Sequence, residues 1–267
     1  MVTIGILIGT LILYLPTPHG AYVAADSRHD GGDPAQADQA QKVFLCGPHA
    51  VCAISGAMRL NVAVDTPGGT QEGTLDLSQL LASVSTELGD GSSEEIARRL
   101  AYRMQAGIEP FWRRHLEDQR VAQPMSLRLG AQALATVLLA RREANGRNYL
   151  AQIQLQFSEE RHPEGGWVHR LRSPYIHVAD GARPLAQGKT LCMRINPEEK
   201  PAAKTREQTL ESIRALFSRA QEIPSCASVI GGLVDVAVIE ANEANAARWL
   251  TRKSETTSKP APAPLDR

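Results

Sequence analysis

The chain has no surplus of charge: 29 Lys+Arg stand against 29 Asp+Glu in 267 residues. Without a basic excess to displace counterions from phosphates, a dedicated nucleic-acid binder is excluded. Cysteine is scarce. The four cysteines (Cys46, Cys52, Cys192 and Cys226) include no C-x-x-C pair, so the expectation is free thiols in a reducing, cytoplasmic setting. Metal and phosphate signatures are missing too: there is no H-E-x-x-H, G-x-x-x-x-G-K or G-x-S-x-G. The histidines (His19, His29, His49, His115, His162, His169 and His177) are scattered, which leaves a zinc site or a serine–histidine triad without support. No metal and no cofactor are expected. What is present, 43% apolar and 22% charged residues, is the composition of a folded globular chain able to bury a core.

The N-terminal run MVTIGILIGTLILYL could pass for a secretory leader or an anchor. No Lys or Arg precedes it, and Pro16 and Pro18 end it short of the ~20 residues that a spanning helix needs. Val2, Thr3, Ile4, Ile6, Ile8 and Ile12 are β-branched, and Gly5 and Gly9 interrupt the run. Buried strand is the expectation, with no membrane partner.

Gly20 to Ala25 reads as a second strand, and the Gly/Asp-rich stretch 30–39 as a loop. Lys42–Leu45 and Ala50–Ser55 read as strands flanking Gly47-Pro48. Leu77, Leu80, Leu81, Val84 and Leu88 recur at helical spacing. Ser92 and Glu95 can cap a second helix lined by Ile96, Leu100, Met104 and Ile108. Ala131–Arg142 is an apolar run reaching the turn Asn145-Gly146. Ala151, Ile153, Leu155 and Phe157 then alternate with glutamines, as in a half-buried antiparallel strand. Thr205 and Gln208 can cap a third helix carrying Leu210, Ile213, Leu216 and Phe217. Val234–Ile239 reads as a strand, followed by an Ala-rich helical stretch to Leu250. Residues 254–267, with three prolines and no periodicity, are expected to be a disordered tail. The order of elements suggests one α+β domain.

The chemistry-bearing segment is Gly20-Ala-Tyr-Val-Ala-Ala-Asp-Ser-Arg28, followed by Lys42 and by Ala53-Ile-Ser-Gly56. An Asp closing an apolar strand is costly unless its charge is paired, and Lys42 begins another strand one loop away. On these residues alone, Asp26 and Lys42 could simply hold two strands in register.

The pattern resembles the proteasome β-type subunits among the N-terminal nucleophile hydrolases. There a threonine opens the first strand, Ala-Asp-Ser-Arg ends the second, a lysine starts the third and a Ser/Ala-Gly turn ends the fourth. Asp26, Lys42 and Gly56 lie 16, 32 and 46 residues after Thr10, which matches the family spacing without a gap, and Gly9 precedes Thr10 as at the family's processing site. A start at Thr3 would break that spacing. Ile230-Gly231-Gly232-Leu233-Val234-Asp235-Val236 resembles the family's final strand.

The resemblance implies a four-layer αββα sandwich, a propeptide over residues 1–9 and a hydrolase domain over 10–253. Thr10 would be the nucleophile, with its freed α-amine as base. Lys42 would be the neighbouring cation, oriented by Asp26, and the Gly56 N–H the oxyanion donor. The P1 pocket maps to His29, Ala40, Phe44, Ile54, Met58 and Val62. Implied partners are copies of the chain in a ring, unfolded protein or peptide substrate, and an unfoldase. The resulting expectation is a self-processing threonine endopeptidase. Its rivals are a non-catalytic ring subunit and an amidase acting on small amides. The sequence departs from the pattern where the family carries Asp-x-x-Ser before Gly-Gly, since Ala227 and Ile230 stand there, as in a divergent, bacterial-type member. The family's Gly-Ser-Gly turn is best matched by Asp180-Gly181-Ala182.

Overall fold

The apolar N-terminal run folds as two strands in two different sheets. The computed structural model describes residues 2–9, 11–30, 40–188, 205–227, 230–242 and 245–252. Strand β1 (Val2–Gly9) joins a nine-stranded antiparallel sheet, whereas β2 (Leu11–Thr17) and β3 (Gly20–Asp26) belong to a five-stranded one. The chain therefore changes sheet between Gly9 and Leu11. Thr10 itself lies outside the described residues.

The remaining elements follow in chain order. β4 (His29–Asp30), β5 (Val43–Leu45), β6 (Ala50–Thr66) and β7 (Gly69–Asp76) precede helices α1 (Leu77–Thr86), α2 (Ser93–His115) and α3 (Met125–Leu129). Then come β8 (Ala133–Arg142), β9 (Asn148–Arg161), β10 (Trp167–Leu171), β11 (Tyr175–Ala179) and β12 (Leu185–Gly188). Helices α4 (Arg206–Glu222) and α5 (Pro224–Ala227) and strands β13 (Val234–Glu240) and β14 (Ala247–Thr251) complete the fold. The larger sheet runs β10-β9-β8-β6-β1-β4, with β11 on β9 and both β5 and β7 on β6; the smaller runs β12-β2-β3-β13-β14.

Side-chain parity explains the apolar run. In β2, Leu11 and Leu13 pack in one core cluster while Ile12 and Tyr14 pack in another, so both faces of the strand are buried. A strand buried on both faces loses the apolar–polar alternation of a surface strand. Three clusters fill the molecule. One joins β6, β8 and β9 to α1 and α2 through Ile54, Leu60, Leu139 and Ile153 against Leu81, Leu100, Met104 and Trp112. A second joins the two sheets through Tyr14, Val23, Val51 and Leu138. The third joins the smaller sheet to Ile213 and Phe217 of α4. Both expected helix starts carry a capping box. Ser92 accepts from the Glu95 N–H while Glu95 accepts from the Ser92 N–H, and Thr205 and Gln208 repeat the exchange.

Several expectations change. β6 does not stop at Ser55. It continues to Thr66 and turns back as β7, because its two edges serve four partners: β8 and then β7 on one, β5 and then β1 on the other. The Ala-rich stretch expected to be helical is strand β14, since the open edge of β13 offers backbone partners to Ala247–Thr251. The cysteines are not free thiols: Cys46 and Cys52 form a disulfide across the β5–β6 turn, and Cys226 is also disulfide-bonded. No described cysteine is free. Residues 254–267 and Cys192 lie outside the described residues. No described helix is long and apolar enough to cross a membrane.

Two core histidines make stability depend on pH. His169 is fully buried beside Phe157 and receives the Met125 N–H at 3.3 Å, with Glu159 3.4 Å away. His115 packs over Gly73, where a Cβ would come within 2.5 Å of its ring nitrogen. Burial holds both imidazoles below their ordinary value. Below about pH 6.5 the unfolded chain therefore binds protons that the folded chain refuses, and stability falls with pH through that window. Thermal unfolding should give a lower Tm at pH 5.5 than at pH 7.5, and His169→Gln should narrow the gap. A gap that is absent, or unchanged by the substitution, would contradict this.

Candidate active site

β3 delivers Asp26 into the interior at its last residue. One carboxylate oxygen accepts from Lys42 Nζ at 2.9 Å, and neither side chain is exposed (0%/0%). The other oxygen accepts the backbone N–H groups of Arg28 and Gly231, each at 3.2 Å. Lys42 Nζ also donates to the Arg28 carbonyl. Burial pushes the Asp26 carboxyl above its ordinary value, and the Lys42 charge followed by the two N–H groups pull it back. Such a pair persists in a core because both charges keep hydrogen-bond partners besides each other.

Lys42 is fixed in turn by the main chain. Its carbonyl accepts the Ile54 N–H at 2.9 Å, which ties it to β6 two residues before Gly56. Gly56 has φ +93, and a Cβ there would lie 2.9 Å from both Ala135 Cα and the Leu134 carbonyl oxygen. Only glycine fits where β6 presses on β8. On its other edge Gly56 is registered opposite Gly9, and Gly9 is also opposite His29 in β4. The last residue of the expected propeptide thus faces the expected oxyanion glycine.

Gly231 closes the other side. A Cβ on it would come within 2.3 Å of Arg28 Cζ, so the guanidinium lies directly over this glycine. Arg28 Nη1 donates to the Ala227 carbonyl at 2.7 Å. The main chain at Ala227 thus receives the arginine. Ile230 is fully buried in the cluster beneath α4, where it supplies packing.

Of the expected pocket residues, Phe44, Ile54, Met58 and Val62 are all buried in the helix-side cluster, with Ala40 packed against it. The His29 side chain lies outside the described residues. Val62 is placed differently from the expectation: β6 is strand here, so six residues of rise put Val62 about 20 Å from Gly56, too far to share one side-chain pocket. Met58 is the extra residue at a bulge between Leu7/Ile8 and the Ala57–Arg59 stretch. Asp180-Gly181-Ala182 is likewise displaced from its expected place. The Gly181 carbonyl accepts from the Tyr14 hydroxyl at 2.7 Å, whereas the β12 residue opposite Leu11 is Gly188.

One residue had no sequence signal. Gln187 donates to Ser55 Oγ at 2.7 Å and to the Thr136 carbonyl at 3.2 Å, and accepts from Gln152 at 3.2 Å. This network bridges the sheets at the residue before Gly56. A lone glutamine in a short apolar strand gives no warning of it. Ser27, beside Asp26, is buried, and its hydroxyl has no hydrogen-bond partner among the described residues.

Lys42→Met should cost about 3–5 kcal/mol of stability, because it leaves the Asp26 carboxylate buried without its cation. The double variant Asp26→Asn/Lys42→Met should be more stable than Lys42→Met alone, measured by urea unfolding. A double variant as unstable as the sum of its single changes would show that the pair is not coupled.

Comparison of the chain with protein-family models and with curated proteins gives no match.

Proposed function

We propose that the chain is a self-processing threonine hydrolase of the proteasome β type, acting on peptide bonds within a ring of identical subunits. The register of Gly9 opposite Gly56, beside the buried Asp26–Lys42 pair, carries this reading. The sequence of clusters, helices to larger sheet, sheet to sheet, and smaller sheet to α4, supports a four-layer αββα arrangement. The Cys46–Cys52 disulfide favours an oxidising compartment over the cytoplasm.

In processing, Thr10 Oγ1 attacks the Gly9 carbonyl carbon. A new C–O bond forms while the Gly9–Thr10 C–N bond breaks, and the proton lost by the Thr10 hydroxyl passes to the nitrogen, which leaves as the amine. Water then hydrolyses the ester, releasing the Gly9 carboxylate and restoring the hydroxyl. The Gly56 N–H stabilises the oxyanion in both steps. The α-amine, whose unperturbed pKa is about 7.7–8.0, then serves as base toward an incoming peptide. Lys42 holds that amine neutral by its own charge and favours negative charge at the reacting oxygen, and Asp26 keeps Lys42 in place.

The test is turnover of fluorogenic peptides together with labelling by a threonine-directed β-lactone. Wild-type protein should be labelled once, at Thr10. Thr10→Ala should be unlabelled and inactive, and Lys42→Ala should lose roughly 10²–10⁴-fold in rate. Peptide turnover that survives Thr10→Ala overturns the proposal. A labelled protein that hydrolyses small amides but no peptide would make it an amidase.

A further inference from the structure

The stretch between α2 and α3 touches the N-terminal half of the expected propeptide. Val121 bridges to Val2 of β1 on one side and to Trp167 of β10 on the other. With Trp167 it exchanges two main-chain bonds: the Val121 N–H donates at 2.9 Å and the Val121 carbonyl accepts at 2.8 Å. A cavity of about 180 Å3 adjoins both segments, lined by Val2, Ile4 and Ile6 on one side and by Val121, Pro124 and Met125 on the other. The propeptide's other end has a separate hold, because Gly9 is opposite His29 and Gly56.

The stretch ends at α3, whose start has no cap of its own: the N-cap residue Pro124 makes no side-chain cap bond. The first N–H groups of the helix are received by β9 and β10 instead. The Met125 N–H donates to His169 Nε2 at 3.3 Å and the Ser126 N–H to Glu159 at 3.3 Å, and the Ser126 hydroxyl also donates to Glu159. His169 and Glu159 are direct cross-strand neighbours.

One nitrogen therefore faces two partners that ask opposite things of it. His169 Nε2 accepts from Met125 only while it carries no proton, so the neutral ring keeps its proton on Nδ1, which is buried with no hydrogen-bond partner among the described residues. Glu159 lies 3.4 Å from the same Nε2 and bonds to it only when that nitrogen is protonated. Among the described residues the charge that acts on the ring is that of Glu159 on β9. Phe157 of β9 lies beside the ring and Trp112 of α2 beside Phe157, while α3 presents the Met125 N–H. Arg170, next to His169 on β10, is exposed, and His115, the other buried imidazole, packs over Gly73. Burial disfavours the charged ring, so the contact with Met125 is the neutral-pH state.

We propose that residues 121–125 form a proton-released clasp on the N-terminal half of the propeptide, with His169 as its latch. A proton taken from solvent at Nε2 turns that acceptor into a donor, which bonds to Glu159 and leaves the Met125 N–H facing another N–H. The first turn of α3 then loses a buried partner, and the stretch from Val121 to Met125 moves off Val2, Ile4 and Ile6. As regulation of the site, the clasp rests on the hydrolase reading, in which residues 1–9 must leave. As a pH-gated contact it stands on the bonds of Met125 and Val121 alone.

The experiment uses the full chain with Thr10→Ala, its uncut length checked by intact mass, beside the same chain carrying His169→Gln as well. Glutamine keeps an acceptor for Met125 and does not titrate. Hydrogen exchange is followed by mass spectrometry at pH 7.5 and pH 5.5, each rate divided by that of an unstructured chain at the same pH. An imidazole that titrates near pH 6.5 when the clasp is open, and stays neutral when it is closed, raises the open population about tenfold over this range. Residues 2–6 and 121–125 should therefore lose protection by about fivefold to tenfold at pH 5.5 while remaining less protected than β8, the mark of a local opening. In the His169→Gln chain the same residues should change by less than about twofold. Protection that is equal at the two pH values, or that falls equally in the His169→Gln chain, overturns the proposal. If His169→Gln does not fold, His169→Asn replaces it under the same criteria. The two readings fail separately. Acid opening of the clasp together with a wild-type protein that keeps residues 1–9 at both pH values removes the hydrolase reading and leaves the clasp. Processing of the wild type with pH-independent protection removes the clasp alone.

Discussion

The buried ion pair between Asp26 and Lys42 is the constraint around which the rest of the site is arranged. Removing two charges from water costs several kcal/mol each, so the pair needs hydrogen-bond partners beyond its own contact. The molecule meets this demand with main-chain groups: the N–H of Gly231 and of Arg28 on the carboxylate, and the Arg28 carbonyl on the ammonium. Those bonds fix the end of β3, the lead-in to β5 and the loop before β13 relative to one another. Arg28 then lies over Gly231 and reaches the Ala227 carbonyl, so a side chain at residue 231 would have to displace the guanidinium.

The second organising fact is the change of sheet between Gly9 and Leu11. A strand that stayed in one sheet would bury that segment in a continuous ladder. Here the main chain leaves the β6 edge at Gly9 and enters the β3 edge by Ile12. The segment between them is flanked by Gly56 on one sheet and by Gly188, opposite Leu11, on the other. Gln187 links the sheets at this point through Ser55, so the spacing of the two ladders is set by a polar contact within an apolar interface. The proposed reaction takes place where the chain crosses from one sheet to the other.

Much of this was legible in the sequence where the signal is local. Ser92 with Glu95 and Thr205 with Gln208 announce helix starts because a capping box satisfies N–H groups within four residues. The pairing of Asp26 with Lys42 was legible because a buried carboxylate must find a cation. What failed depends on neighbours distant in sequence. The extension of β6 to Thr66 is decided by β1 and β7, and it carries Val62 away from Gly56. The strand at Ala247–Thr251 is decided by the free edge of β13, against an alanine-rich composition. The Cys46–Cys52 bond depends on a turn that brings the two residues together, and four scattered cysteines do not reveal it. Asp180-Gly181-Ala182 resembled a site turn in composition, but Tyr14 holds its Gly181 carbonyl at the far end of β12.

The proposed function turns on one covalent event, scission of the Gly9–Thr10 bond by the chain itself. Intact mass spectrometry of purified wild-type protein, followed by N-terminal sequencing, tests it most directly. The account predicts a chain that begins at Thr10, with Thr10→Ala retaining residues 1–9. A wild-type chain that keeps residues 1–9 with the Asp26–Lys42 site intact, or one that loses them equally in the Thr10→Ala variant, would contradict it.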